Sequence, residues 1–119
     1  MEEGKLQLKG GDYEKAVNAF LESVKLDDSN ALAHESLGWA YFSLMQNEKA
    51  SQEFNRAIAL NPNCKEAHLG IGYLHFMSSH YDQAVDAFTR AIQIDPDYAS
   101  AHAALGRVFY KQDLIDQAI

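Results

Sequence analysis

Five histidines and one cysteine are the residues of this 119-residue chain best suited to metal or nucleophilic chemistry. His34, His68 and His102 recur at a constant spacing of 34 residues. Neighbouring helices in a packed array stand about 8–10 Å apart, whereas zinc needs each ligating nitrogen within about 2.0–2.1 Å. Equivalent rings on that spacing cannot converge on one ion, so these histidines are expected to be half-buried packing residues. His75 and His80 have no carboxylate or thiol at ligand spacing. Cys64 precedes His68 by one helical turn, a separation that can lower a thiol pKa, but no oxyanion donor or third group accompanies the pair. A single cysteine also excludes an internal disulfide and a thiolate-only metal site. Gly70-Ile71-Gly72 lies inside a helical pattern, so it reads as packing and not as a phosphate loop. The acids of the first period (Asp12, Glu14, Glu22, Asp27 and Asp28) are dispersed, as on a solvated helix face. No catalytic, metal or cofactor site is expected, and the chain reads as non-enzymatic.

Composition narrows the partners. Seventeen acids against ten Lys and Arg give a net charge of −7. Phosphate neutralisation needs clustered positive charge, so a general nucleic-acid binder and a polybasic membrane segment are both disfavoured. The start, Met1-Glu2-Glu3-Gly4-Lys5, lacks the basic and apolar parts of a signal peptide. The longest near-apolar run, Leu37 to Met45, includes Ser43 and is far shorter than the about 20 residues of a membrane span. A soluble, cytoplasmic protein of one domain is the expectation.

Self-similarity is the dominant feature. Shifted by 34, Leu37-Gly38 falls on Ile71-Gly72 and then on Leu105-Gly106. Ala16, Ala50 and Ala84 coincide, as do Phe20, Phe54 and Phe88, and Pro62 falls on Pro96. Each period reads as two helices. His34, Leu37, Gly38 and Tyr41 share one helical face, and Ala50, Phe54, Ala57 and Ile58 share another. Proline at 62 and 96 stops the second helix. Asn63, with Glu66 three residues on, has the spacing of a capping box for the next helix, and Ser29 is the expected cap in the first period. Gly38, Gly72 and Gly106 leave no side chain where the paired helices cross. Such a pair cannot bury its apolar faces alone, which is why these repeats come in arrays.

These residues resemble the tetratricopeptide repeat family, whose pattern Trp-x2-Leu-Gly-x2-Tyr, Ala-x3-Phe, Pro is met as His34-x2-Leu37-Gly38-x2-Tyr41, Ala50-x3-Phe54, Pro62. It recurs as His68-x2-Ile71-Gly72-x2-His75, Ala84-x3-Phe88, Pro96. Histidine replaces the leading tryptophan, and His75 replaces tyrosine. The resemblance implies an all-α, right-handed superhelical solenoid of helix-turn-helix repeats. The chain is expected to form a single array over 1–119, with a partial repeat 1–30, full repeats 31–64 and 65–98, and a truncated repeat 99–119. The last would hold a first helix from about Ala99 to Lys111, exposing part of Leu105, Val108 and Phe109. A short separate segment would run from Leu114 to Ile119.

By the same resemblance, the first helix of each pair lines a concave groove that binds a protein or peptide partner. The groove places are Leu32, Glu35, Trp39, Phe42 and Ser43 in the second period, and Glu66, Leu69, Tyr73, Phe76 and Met77 in the third. Ser100, Ala103, Arg107, Tyr110 and Lys111 hold them in the fourth, while Lys5, Leu8 and Lys9 stand in the first. The centre is aromatic and the ends are basic. The alternative is that the rings pack against neighbouring repeats. Some family members clamp an acidic chaperone tail with Lys, Arg and Asn. Those places here are Met1, Lys5, Ser36, Glu66 and Gly70, which argues against that clamp. Two further roles stay open: self-assembly through the open repeat ends as a homo-oligomer, and service as the targeting appendage of a larger enzyme.

Overall fold

A computed structural model describes residues 10–118. The described residues form six helices and no strand: α1 (Gly10–Leu26), α2 (Ala31–Ser43), α3 (Asn47–Leu60), α4 (Lys65–Met77), α5 (Tyr81–Ile94) and α6 (Ala99–Ala118). Lys5, Leu8 and Lys9 lie outside the described residues. The chain divides into two compact units, Met1–Pro62 and Asn63–Ile119. In the first, α2 packs against α1 and α3. In the second, α5 packs against α4 and α6, and α4 touches α6 more lightly.

Each closed pair, α2–α3 and α4–α5, is built around one phenylalanine on a glycine. Phe54 and Phe88 are wholly buried, as are Ala50, Ala57, Ala84 and Ala91 beside them on the same helices. A Cβ on Gly38 would lie 2.7 Å from two ring carbons of Phe54, and one on Gly72 would overlap the ring edge of Phe88. Glycine is therefore required by close approach at both places. Gly106 holds the same place in the last period, yet a Cβ there would meet nothing within 4 Å.

The turns inside the two closed pairs are equally alike. Met45 (φ 60°) and Ser79 (φ 63°) take the left-handed conformation, at a cost of about 1–2 kcal/mol for a residue with a side chain. Their neighbours close the helix ends: Gln46 N–H donates to the Tyr41 carbonyl at 2.9 Å, and His80 N–H to that of His75 at 2.8 Å. These bonds satisfy carbonyls that a helix C-terminus otherwise leaves unpaired.

Asp113 holds the corresponding place in the last period and does not turn. The helix α6 runs unbroken for 20 residues, which corrects the expected stop near Lys111 and the separate segment from Leu114. Reversal would incur the left-handed cost, whereas continuing the helix adds a hydrogen bond with each residue fixed. Val108 is also wholly buried, because α6 packs on α5, so of the three side chains expected to lie open it is Phe109 that does, at 54% exposure.

The turns between periods are held from both sides. Asn30, not Ser29, caps α2 by accepting from Ala33 N–H at 3.2 Å. Ser29 instead donates its hydroxyl to Asp27 Oδ1 at 2.6 Å. Cys64 holds the equivalent cap of α4 without a side-chain capping bond, so Asn63 stands one residue outside the expected capping position. The periodic histidines reach back over these turns: His34 Nε2 bonds the Asp28 carbonyl at 2.9 Å, and His102 Nε2 that of Pro96 at 2.7 Å. Of the three expected half-buried packing residues, His68 is half-buried, whereas His34 is buried and His102 exposed, and these two make a polar tie across six residues. In the second unit Lys65 pairs with Asp95 at 2.5 Å and lies 4.8 Å over the Tyr98 ring. The hydrogen bond to Lys65 holds the Asp95 carboxyl below its usual range, and the same bond raises the lysine.

Candidate functional site

In the first unit, α1 and α2 enclose a cleft of about 310 Å³ lined by Tyr13, Ala16, Phe20, Glu35, Ser36, Trp39, Ala40 and Ser43. Two helices thus supply one wall each. The sequence pattern singles out Glu35, Trp39 and Ser43 of this group. Tyr13, Ala16 and Phe20 come from the second helix of the first period, whose pattern reads only as core. Phe20 is the phenylalanine of the Ala-x3-Phe motif, but it stays half-buried where Phe54 and Phe88 are fully enclosed. That motif carries no signal distinguishing a cleft wall from a core ring.

Trp39 belongs to both environments. Its ring meets Phe54 edge-on at 5.0 Å and Phe42 edge-on at 5.4 Å, with interplanar angles of 71° and 79°. Such edge-to-face pairs contribute about 0.5–1.5 kcal/mol beyond area burial. Trp39 therefore packs on the core ring from one side while facing the cleft from the other. Glu35 is buried, Phe42 half-buried, and Leu32 stands out at 67% exposure near the start of α2. Leu32 and Phe42 lie outside the cleft lining.

The second unit repeats part of this arrangement. Tyr73 lies edge-on to Phe88 at 5.3 Å, and Phe76 is tilted against Tyr81 at 5.7 Å. Both rings are half-buried. Leu69 sits in the core, Glu66 is half-buried, and Met77 is 48% exposed. On α6, Ser100, Ala103, Arg107, Tyr110 and Lys111 are all exposed, so with Phe109 this helix offers two cations and two aromatic rings to solvent. The rings of α2 and α4 are thus anchored by one edge to the core and available by another.

The chemistry of these surfaces is apolar contact with sparse charge. Besides Tyr13, the ionisable residue in the cleft lining is Glu35. Cys64 is a buried thiol at a helix cap. Among the described residues, no helix is long and apolar enough to cross a membrane.

Known proteins carry the same architecture. The model of the TPR repeat matches residues 4–44, 38–79 and 78–113. No curated protein sequence matches the chain. Among solved structures, the Arabidopsis OM64 TPR domain is similar at 26% identity and a TM-score of 0.82, over 92% of this chain and 91% of that one. MamA is similar at 28% identity and a TM-score of 0.78, with 89% of this chain covering 62% of MamA. The first TPR domain of human RPAP3 matches at 22% identity over 99% of this chain and 93% of that one, with a TM-score of 0.84. The glycine-on-phenylalanine pairs, the 34-residue register and a repeat match running from residue 4 to 113 converge on one assignment: the fold is an all-α helix-turn-helix solenoid, and the chain belongs to the tetratricopeptide repeat family.

Proposed function

We propose that this chain is a non-catalytic, cytoplasmic interaction scaffold. It captures an extended or helical segment of a partner protein against the first helices of its repeats, with the 1–119 array acting as one binding element. Trp39, Phe42, Tyr73 and Phe76 supply apolar anchors. Leu32 and Met77 extend the apolar contact, Glu35 contributes negative charge, and Arg107, Tyr110 and Lys111 form a basic, aromatic end, while Leu69, expected among the groove residues, is taken up by the core. The observation that carries this reading is the aromatic-walled cleft between α1 and α2, since interaction hot spots gather where aromatic side chains meet a desolvated pocket.

The partner segment is apolar and not strongly acidic. A TPR domain of RPAP3 has been solved with the HSP90 peptide SRMEEVD, and another with the HSP70 peptide SGPTIEEVD. An acidic tail of that kind is held by cations, whereas Glu35 stands in this cleft and Glu66 at a clamp place in the next period. Affinity capture read by mass spectrometry, with wild type and the Trp39→Ala/Tyr73→Ala/Phe76→Ala variant, tests the proposal. Captured partners should be lost from the variant while its helicity persists, with each anchor worth on the order of 2 kcal/mol. A folded variant that keeps its partners refutes the anchor assignment.

Self-association is a second reading, favoured by the exposure of Phe109 (54%), Leu114 (43%) and Ile115 (44%) on α6. Light scattering over a wide concentration range should then show mass rising with concentration, and Leu114→Lys/Ile115→Lys should abolish the rise. A constant monomer mass refutes it.

A further inference from the structure

His34 is buried to 3% exposure, and both of its ring nitrogens face oxygen acceptors. Nδ1 lies 2.7 Å from Glu53 Oε1 on α3. Nε2 lies 2.9 Å from the Asp28 carbonyl and 3.1 Å from Asp28 Oδ1, on the turn between α1 and α2. A backbone carbonyl and a carboxylate have no proton to give, so both bonds are complete only when both ring nitrogens carry hydrogen. That species is the imidazolium. In either neutral tautomer one nitrogen lone pair would face oxygen inside the fold, and an unmade buried bond is costly.

The surrounding charges suit the cation. Arg56 of α3 pairs with the other oxygen of Asp28 at 2.6 Å. With His34 protonated, Asp28, Glu53, Arg56 and His34 sum to zero; with it neutral they leave one uncompensated negative charge. Tyr41 on His34's own helix also bears on this cluster, its hydroxyl pushed up by burial and by the Glu53 charge, and Asp27 adjoins Asp28 in the turn. Burial by itself would depress His34, but the bond to Glu53, the Asp28 carbonyl and both carboxylates outweigh it, and the net shift is upward.

The cluster belongs to one repeat only. Thirty-four residues on, Pro62 stands at the place of Asp28 and Ala87 at that of Glu53, beside His68. The middle copy keeps the histidine and has neither carboxylate at those places.

We propose that Asp28, His34, Glu53 and Arg56 form a proton-held latch that ties the 27–30 turn and α3 to α2 while His34 is doubly protonated, and loosens that turn when the ring gives up one proton. The sign of the pH dependence is set by linkage. A histidine raised in the folded state contributes its full stabilisation below its unfolded value, about 6.5. That contribution fades as pH rises through the folded value. Cellular alkalinisation, not acidification, therefore releases the latch. This inference does not depend on the binding role.

Imidazole ¹⁵N shifts of the intact protein, followed from about pH 5 to about pH 9, resolve each histidine across its ordinary range. His34 should keep both nitrogens protonated to higher pH than His68, and Glu53→Gln should lower its midpoint by about one pH unit. In urea unfolding, wild type should lose more of its midpoint between neutral and alkaline pH than Glu53→Gln does. His34 titrating with or below His68, or a midpoint unmoved by Glu53→Gln, overturns the latch. If Glu53→Gln fails to fold, the wild-type comparison of His34 with His68 still decides it.

Discussion

Gly72 and Gly106 occupy one place in successive periods and meet opposite surroundings. Around Gly72, α4 and α5 come so close that Phe88 leaves no room for a methyl group. Ser79 accepts a left-handed backbone to bring α5 back along α4. Around Gly106 there is open space, and Asp113, in register with Ser79, remains helical. The segments before the two turns share Ala67 with Ala101, His68 with His102 and Gly72 with Gly106, and they differ in the turn residues, Met77-Ser78-Ser79 against Lys111-Gln112-Asp113. Tyr81–Ile94 brings an alanine-lined face and Phe88 to the contact, whereas the residues after Asp113 continue α6 as far as Ala118. In the second unit the strained turn at Ser79 goes with the enclosed packing of Phe88 beyond it.

Removing the ring that closes the pair should have the largest effect. Phe88→Ala should destabilise the protein by about 3–5 kcal/mol, the usual loss for an enclosed phenylalanine with its cavity term. Chemical denaturation followed by circular dichroism reads this out. Truncating the exposed ring on α6, Phe109→Ala, should fall within about 0.5 kcal/mol of wild type, as for other surface changes. Similar losses at both would mean that α6 is packed far more like α4 than its exposure indicates.

Much of this was legible in the residue spacing, and each failure has its own physical cause. The 34-residue register placed the helix pairs, the glycine contacts at 38 and 72, and the phenylalanines that fill them. All of these are short-range consequences of helical geometry. The register also extended the turn to Asp113, where it does not form, because periodicity describes a repeated unit and not the packing that makes its turn worthwhile. Capping was misread by one residue at the turns before α2 and α4. Asn30 and Cys64 hold the caps, while Ser29 is engaged by Asp27. Polar residues crowd these turns, and local side-chain bonds compete for the same amides. The wall formed by Tyr13 and Phe20 was hidden because a half-buried aromatic ring and a core ring have one sequence signature. Glu53 was invisible as a partner of His34, since nothing in a separation of nineteen residues marks a contact between adjacent helices.

The most direct test of the account compares Gly72→Ala with Gly106→Ala by urea unfolding of the same protein. Alanine favours a helix interior over glycine by about 0.5–1 kcal/mol where its methyl group is free. At position 106 that gain should appear as a higher unfolding midpoint. At position 72 the methyl group meets the enclosed ring of Phe88, and overpacking of this kind costs about 1–3 kcal/mol, so the midpoint should fall. Opposite signs are the predicted result. Two variants shifted in the same direction would contradict the claim that one glycine is held by close packing and the other is not.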